Sequence, residues 1–167
     1  MTDFVIESTA VECENSSSEG RILALDFGKR RIGMAISDPL RLIATGLNTL
    51  TRTTIREDLE HIARVAAEHE VRLFLMGHPL NMDGTEGKQA LNAREFGGRL
   101  QRKTGIPMQL WDERLTSVEA EEMLRERGER PDRRSGTVDR LAAALLLQRY
   151  LDHHHQAESE AEWSAGE

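Results

Sequence analysis

The segment RILALDFGKRRIGMAISD, residues 21–38, constrains the fold more than any other part of the chain. Its two apolar runs, residues 21–25 and 32–37, have the length and composition of buried β-strands, and a short glycine-containing turn joins them. Asp26 opens that turn at the end of the first strand, and three bases follow it: Lys29, Arg30 and Arg31. A carboxylate at the edge of a predicted central sheet, with cations directly behind it, is a candidate functional residue.

The rest of the chain, up to residue 151, alternates between helix and strand patterns. Ile55, Leu59, Ile62 and Ala66 recur at helical spacing, whereas VRLFLMG is a short β-rich run. The elements predicted after the first two strands are a helix over 53–69, a strand over 71–77, a helix over 88–103, a strand over 108–113, a helix over 116–128 and a helix over 137–151. This order predicts an α/β domain with a mixed β-sheet flanked by α-helices.

Charge divides the chain into a mildly basic body and two acidic ends. The 167 residues include 29 acids and 22 bases, for a net charge of −7. Residues 1–20 and 152–167 each contribute five acids and no Lys or Arg, so the 19 acids and 22 bases of residues 21–151 sum to +3. Both ends are polar and aperiodic, which is typical of disorder. We predict a disordered acidic N-terminal tail over 1–20, one folded domain over 21–151 and a disordered acidic C-terminal tail over 152–167.

Cysteine content and hydropathy bear on the cellular compartment. Cys13 is the single cysteine, so an intrachain disulfide is impossible, which suits a reducing compartment. The N-terminus has no signal-peptide pattern, and no apolar run approaches the length of a membrane span. We expect a soluble, cytoplasmic protein without membrane contact.

Carboxylates stand at three predicted element ends on one edge of the sheet. Asp26 ends the first strand, Asp112 and Glu113 end the last strand, and Asp139 lies in the first turn of the last helix. Ligands in α/β domains gather at the carboxyl ends of strands. Carboxylates that converge there repel one another unless a cation joins them, and oxygen ligands favour Mg²⁺ or Mn²⁺. Two such ions about 4 Å apart activate water and stabilise the leaving oxygen in phosphodiester hydrolysis.

Each carboxylate also has a structural interpretation. Asp26 lies where Asp often forms a turn, and Asp139 is favoured by the helix dipole in any first turn. Asp112 or Glu113 has Arg114 beside it as an ion-pair partner. The residues alone leave both interpretations open. They also leave open whether Asp112 or Glu113 faces the other two acids, because neighbours on a strand point to opposite sides.

Four segments together resemble one known family. LALDFGKRRIGMAISD, GHPLNMDGTEG, WDERLTSVEAEEML and TVDRLAAALLLQRYL are similar to the motifs of the YqgF/RuvX family of bacterial proteins. The combination is specific for a chain of this length, and the resemblance covers the body from Arg21 to Leu151. It implies a ribonuclease H-like fold. It also implies metal-dependent nuclease activity, described for the family as Holliday junction resolution or pre-16S rRNA processing.

The resemblance assigns roles to single residues. Asp26, Glu113 and Asp139 match the family's metal-binding carboxylates, so the resemblance favours Glu113 over Asp112. Further matches lie in the hairpin, in the loop after VRLFLMG and in the Asp-Glu-Arg motif: Arg31, Gly33, Gly77, Pro79, Gly84, Thr85, Arg114, Leu115 and Thr116.

Two positions depart from the family pattern. His78 stands where the family usually has an apolar residue, and Gly136 with Thr137 replace a more usual basic pair before Asp139. The second change weakens one expected phosphate contact, and Arg133 and Arg134 are candidates to compensate for it. Bases on both sides of the scissile bond position phosphates without reading sequence, although a solvated charged surface is the alternative. The predicted substrate-binding set is Lys29, Arg30, Arg31, Arg114, Arg133 and Arg134.

The same resemblance sets the expectations for substrate and partners. We expect nucleic acid as substrate, with precursor rRNA favoured, branched DNA as the alternative, and ribosome-assembly particles as candidate partners. The outward faces of the predicted helices are mostly charged, which favours a monomer or a weak homodimer.

Two other functional classes compete with a nuclease. DFGKRRIG also fits the phosphate loop of sugar kinases and actin-like ATPases, but those proteins resemble two such domains and this chain has the length of one. The other class is a non-catalytic nucleic-acid-binding module of ribosome assembly. All three expected carboxylates are present, which argues against a decayed site.

Overall fold

The computed structural model describes residues 20–112, 116–129 and 136–165. Predictions that concern Glu113, Arg114, Arg133 and Arg134 lie outside these residues. Within them lie six strands and four helices: the predicted elements follow one another in the predicted order, and two short strands between the hairpin and the first helix are additional. The elements are β1 (Arg21–Phe27), β2 (Arg31–Ser37), β3 (Ala44–Gly46), β4 (Leu50–Thr51), α1 (Ile55–Glu68), β5 (Val71–His78), α2 (Lys88–Thr104), β6 (Met108–Asp112), α3 (Thr116–Glu126) and α4 (Thr137–Ala165).

The strands form one mixed sheet. Its order is β3-β2-β1-β5-β6, and β4 pairs with the part of β2 that β3 leaves open. β1, β2 and β3 are antiparallel neighbours, whereas β1, β5 and β6 run parallel. The parallel strands are joined by α1 and α2, as parallel pairs require crossover connections. The prediction of an α/β domain with a mixed sheet and flanking helices is confirmed.

Alternating residues of the central strands pack against different helices. Leu23 and Leu25 of β1 join one core cluster with buried residues of α1 and α2. Ile22 and Ala24 of the same strand join a second cluster with α4. Side chains of a strand alternate between the two faces of a sheet. The sheet therefore has an α1/α2 face and an α4 face, and α3 packs onto α4 rather than onto the sheet.

Helix α4 runs well past the predicted end of the folded domain. It continues to Ala165, so the structure corrects the disordered tail expected from residue 152. The segment from 137 to 165 contains no Gly or Pro to stop a helix, and acidic composition alone does not. His154 stacks on Tyr150 with ring centroids 4.0 Å apart, and His155 Nε2 lies 2.8 Å from the Arg41 carbonyl oxygen. No helix in the described part of the chain is long and apolar enough to cross a membrane.

The loop between β2 and β3 exposes apolar side chains that the helical patterns could not show. Leu40, Leu42 and Ile43 are 68%, 51% and 64% exposed. Asp38 fixes the loop, because its Oδ1 atom accepts hydrogen bonds from the backbone N–H groups of Leu42 (2.7 Å) and Ile43 (2.8 Å). The expectation of mostly charged faces concerned the helices and did not cover this loop.

The turn between β1 and β2 is braced from the α1/α2 face. Arg52 donates from Nη1 to the Gly28 carbonyl oxygen (3.1 Å) and from Nε to Asp58 Oδ2 (3.2 Å). Asp58 is 1% exposed and also accepts from the Thr53 backbone N–H (3.1 Å). From α2, Gln89 Nε2 donates to the Phe27 carbonyl oxygen (2.7 Å). These bonds fix the turn that carries the exposed cations predicted to contact substrate.

The Arg52–Asp58 pair gives a stability prediction. Asp58→Ala leaves a half-buried guanidinium and a backbone N–H without their acceptor, so the free energy of unfolding should fall by about 2–3 kcal/mol. Glu60→Ala is the matched control on α1, because its ion pair with Arg56 is exposed and such pairs contribute about 0–1 kcal/mol. Urea denaturation measures both variants. Equal losses would show that Asp58 is an ordinary surface acid.

Candidate active site

Asp26 lies near the carboxyl end of β1 and points to the α4 face. It follows Ala24 by two residues, and Ala24 packs against α4, so strand alternation places both side chains on the same face. Its cross-strand partner is Gly33 of β2. Paired residues of antiparallel strands also share a face. The groups that pack on Gly33 therefore also lie on the side of the sheet that the Asp26 side chain faces.

The first turn of α4 lies directly over Gly33. A Cβ built on Gly33 would clash with the carbonyl oxygen of Asp139, and it would lie 2.7 Å from its carbonyl carbon. Any side chain at position 33 would push α4 away from the sheet. Because Gly33 pairs with Asp26, this contact places the first turn of α4, which carries Asp139, over the strand pair that holds Asp26.

Two further glycines let the start of α4 approach the sheet. A Cβ on Gly46 would lie 2.9 Å from Cδ of Arg140. Gly136 has a φ of +74°, which favours glycine, and a Cβ there would lie 2.9 Å from the Thr49 side chain. Thr49 Oγ1 donates to the Gly136 carbonyl oxygen (2.8 Å). Gly136, which departs from the family pattern, thus has a structural role: its conformation and its bond with Thr49 fix the backbone just before α4.

Of the predicted cations, Arg31 lies next to one of the two carboxylates. Arg31 Nη1 lies 3.8 Å from Asp139 Oδ2, with the two side chains 25% and 34% exposed. Arg31 precedes Gly33 by two residues on β2 and so shares its face. Lys29 and Arg30 are exposed at the turn. Positive charge therefore lies beside Asp139 and on the exposed turn that follows β1.

Asp112 points away from Asp26. Met108 and Leu110 of β6 pack against the α1/α2 cluster, so Asp112, two residues further on, faces the same side. Its partner on β5 is His78. His78 follows Met76 by two residues and Phe74 by four, and both belong to that cluster, so His78 faces the same side. The structure therefore decides against Asp112 as a companion of Asp26 and Asp139. The alternative, Glu113, lies outside the described residues.

The donor set fits a hard divalent cation. Two carboxylates, with no His or Cys beside them in the predicted set, are oxygen ligands of the kind that Mg²⁺ and Mn²⁺ prefer. Among residues 20–112, 116–129 and 136–165, no group of three His, Cys, Asp or Glu side chains could hold a metal ion. A third carboxylate would have to come from the rest of the chain, and Glu113 is the residue that the sequence offers.

The loop after β5 is stiffened by its own polar groups. Asp83 Oδ1 accepts from Thr85 Oγ1 (2.6 Å) and from the Thr85 backbone N–H (3.0 Å). These bonds hold the pKa of Asp83 below its usual value. His78 Nε2 lies 2.7 Å from Glu86 Oε1, which Arg94 also contacts at 3.1 Å. The unusual His78 therefore has a hydrogen-bond partner in the loop, which sequence reasoning did not anticipate.

The mixed sheet with its flanking helices is a ribonuclease H-like fold. The structure matches that of T. thermophilus RuvC in complex with a Holliday junction substrate, with a TM-score of 0.52 and 15% identity over 81% of this chain and 96% of that chain. At that identity the match shows the fold. A family model described as "RuvX: Holliday junction resolvase" matches residues 20–153. The chain belongs to the RuvX family, which confirms the resemblance found in the sequence.

Curated relatives are similar over most of their length. A protein of Koribacter versatilis is 46% identical over 139 residues, which is 83% of this chain and 91% of that protein. A protein of Syntrophus aciditrophicus is 48% identical over 132 residues, which is 79% of this chain and 88% of that protein. Both carry the name "Putative pre-16S rRNA nuclease".

The contact over Gly33 gives a direct prediction. Gly33→Ala places a methyl group against the backbone of Asp139, so α4 must shift and the free energy of unfolding should fall by about 1–3 kcal/mol. Gly98→Ala on α2 is the control, because its added Cβ meets only Arg102 Nη1 at 3.6 Å. That change should raise the stability by about 0.5–1 kcal/mol. Chemical denaturation of both variants is the measurement, and a Gly33→Ala variant as stable as Gly98→Ala would contradict the contact.

Proposed function

We propose that this chain is a divalent-metal-dependent nuclease that hydrolyses phosphodiester bonds. The observation that carries the proposal is the contact of the first turn of α4 with Gly33, because that turn carries Asp139 and Gly33 pairs with Asp26 near the carboxyl end of β1. Asp26, Glu113 and Asp139 are the proposed ligands of Mg²⁺ or Mn²⁺. The exclusion of Asp112 by strand alternation supports Glu113 as the third ligand.

Each part of the site has a separate task in this reaction. When bound, a pair of ions supplies Lewis acidity at the phosphate and lowers the pKa of the attacking water. Arg31, beside Asp139, reduces the repulsion between the carboxylates and lies where it can contact a phosphate oxygen. Lys29 and Arg30, at the exposed turn, attract the sugar-phosphate backbone through charge rather than base identity. Arg114, Arg133 and Arg134 complete the proposed substrate-binding set.

Precursor rRNA is the proposed substrate. The relatives from Koribacter and Syntrophus are named for pre-16S rRNA, so we propose 5′-end processing of that precursor during ribosome assembly, in the cytoplasm. The description of the family model favours a second candidate, a resolvase of four-way DNA junctions. A junction is cut by two symmetrical nicks, which needs two sites related by a two-fold axis. We propose a monomer or weak homodimer, in keeping with the charged helix faces.

Substitution of the carboxylates tests the site. Asp26→Asn, Glu113→Gln and Asp139→Asn should each abolish cleavage of precursor rRNA while the chain remains folded. Without metal, removal of one clustered charge relieves repulsion, so the melting temperature should hold or rise slightly. The rise in melting temperature that Mn²⁺ produces in the wild type should be lost, because binding only to the native state is what stabilises it.

Asp112→Asn is the matched control for these variants. It removes a negative charge of the neighbouring residue, which lies on the α1/α2 face and away from Asp26, so cleavage and the Mn²⁺-dependent rise should both persist. A turn or capping role for Asp26 and Asp139 predicts lower stability with retained activity. That pattern would falsify the metal site.

Substrate choice and assembly are tested on one preparation. Sedimentation across a concentration series should show mainly monomer at micromolar concentration. The same protein should cut precursor rRNA faster than an intact four-way junction. A tight dimer that nicks junctions in pairs and leaves the rRNA uncut would assign the second candidate function instead.

A further inference from the structure

We infer that a nucleobase next to the scissile phosphate binds in a cavity on the α1/α2 face, behind the turn that follows Asp26. This inference rests on the proposed nuclease function and adds a subsite to it. The cavity, of about 190 Å³, lies between the start of α1 and the middle of α2. Its lining consists of Phe27, Arg52, Ile55, Asn92, Glu95, Phe96 and Arg99.

The position of the cavity suits a strand that is cut at Asp26. Phe27 follows Asp26 directly, so their Cα atoms are about 3.8 Å apart, but Phe27 packs into the α1/α2 cluster. The two side chains therefore lie on opposite faces at the same edge of the sheet. Lys29 and Arg30 are exposed on the turn between the two faces. A nucleic-acid strand whose phosphate lies at Asp26 can pass these cations and place its neighbouring base in the cavity.

Arg52 gives the cavity a fixed, planar wall. Its guanidinium carbon lies 4.4 Å from the centroid of the Phe27 ring, and Phe27 in turn packs on Phe96 with centroids 4.8 Å apart. The bonds to Asp58 and to the Gly28 carbonyl oxygen hold the guanidinium in place. Bases that leave a helix stack on aromatic rings and on guanidinium planes. Because Arg52 is already ordered, stacking of a base on its guanidinium would cost little conformational entropy of that side chain.

The remaining lining residues match a base better than a second phosphate. Ile55 is 43% exposed at the first position of α1, where it offers an apolar wall. Asn92 is exposed and has an amide that can both donate to and accept from a base edge. Glu95 and Arg99 pair at 2.8 Å, which makes that side of the rim nearly neutral. An apolar wall, a planar cation and an amide together are the chemistry that recognises one planar heterocycle.

An abasic scan tests the subsite by binding alone. Fluorescence anisotropy would measure the affinity of the full chain for a single-stranded RNA in which each nucleotide near the cleavage point is replaced in turn by an abasic one. No divalent metal is added, so cleavage plays no part. In the wild type, loss of one particular base should weaken binding about fivefold or more, as stacking energies require.

Asn92→Met identifies the cavity as the place where that base binds. A methionine fills irregular gaps and removes the amide, so intact RNA should bind about fivefold more weakly and the abasic penalty should disappear. Leu91→Met is the matched control on the adjacent, exposed position outside the cavity, and its profile should equal the wild-type profile. A flat wild-type profile, or an unchanged penalty in Asn92→Met, would overturn the subsite.

Failure of the subsite and failure of the nuclease assignment give different results. Metal-dependent cleavage that persists together with a flat abasic profile overturns the subsite alone. A position-specific penalty in a protein that cuts neither RNA nor DNA overturns the nuclease assignment and retains a base-binding cavity.

Discussion

The contact between the first turn of α4 and Gly33 of β2 is the constraint on which the candidate active site depends. Without a side chain at position 33, the backbone of Asp139 reaches the sheet opposite Asp26. Two carboxylates at one edge repel each other, and Arg31 at 3.8 Å compensates only weakly because both partners are partly exposed. A divalent cation is the stronger compensation. The same packing that completes the α4 face therefore forms the place where we propose that a metal ion binds.

The β1–β2 turn links the two faces of the sheet. Directly before the turn, the Asp26 side chain faces α4, and the Phe27 side chain faces the Arg52–Asp58 pair on the other side of the sheet. Preorganised groups lower the cost of binding because they lose little freedom when substrate arrives. The buried Asp58 thus stabilises the fold and also holds Arg52 and the turn in the conformation that nucleic acid would meet. Stability and substrate positioning share these contacts.

The order of elements could be predicted because each has a strong local pattern. The apolar runs of β1, β2 and β5 and the periodicity of α1 and α2 are local signals, and Asp26 and Asp139 stand at element ends where ligands gather. The burial of Asp58 could not be predicted, because its partner Arg52 precedes the helix and no helical pattern connects the two residues. The end of α4 was misjudged because acidic composition indicates exposure and not the absence of a helix.

Other features required three-dimensional information. The choice between Asp112 and Glu113 depends on which core cluster Met108 and Leu110 join. From the sequence, strand alternation shows only that the two acids face opposite sides, and not which side each one faces. Leu40, Leu42 and Ile43 lie in a loop, where no periodicity predicts exposure. The clash that a Cβ at Gly33 would cause arises from a residue more than a hundred positions away, and no local pattern contains it.

Anomalous diffraction from crystals grown with Mn²⁺ tests the central claim most directly, because manganese scatters anomalously and carboxylates bind it without a cleavage assay. The account predicts anomalous density in contact with the carboxylates of both Asp26 and Asp139, and its absence from crystals of the Asp139→Asn variant. Density confined to the acidic end of α4, or none at all at saturating Mn²⁺, would contradict it.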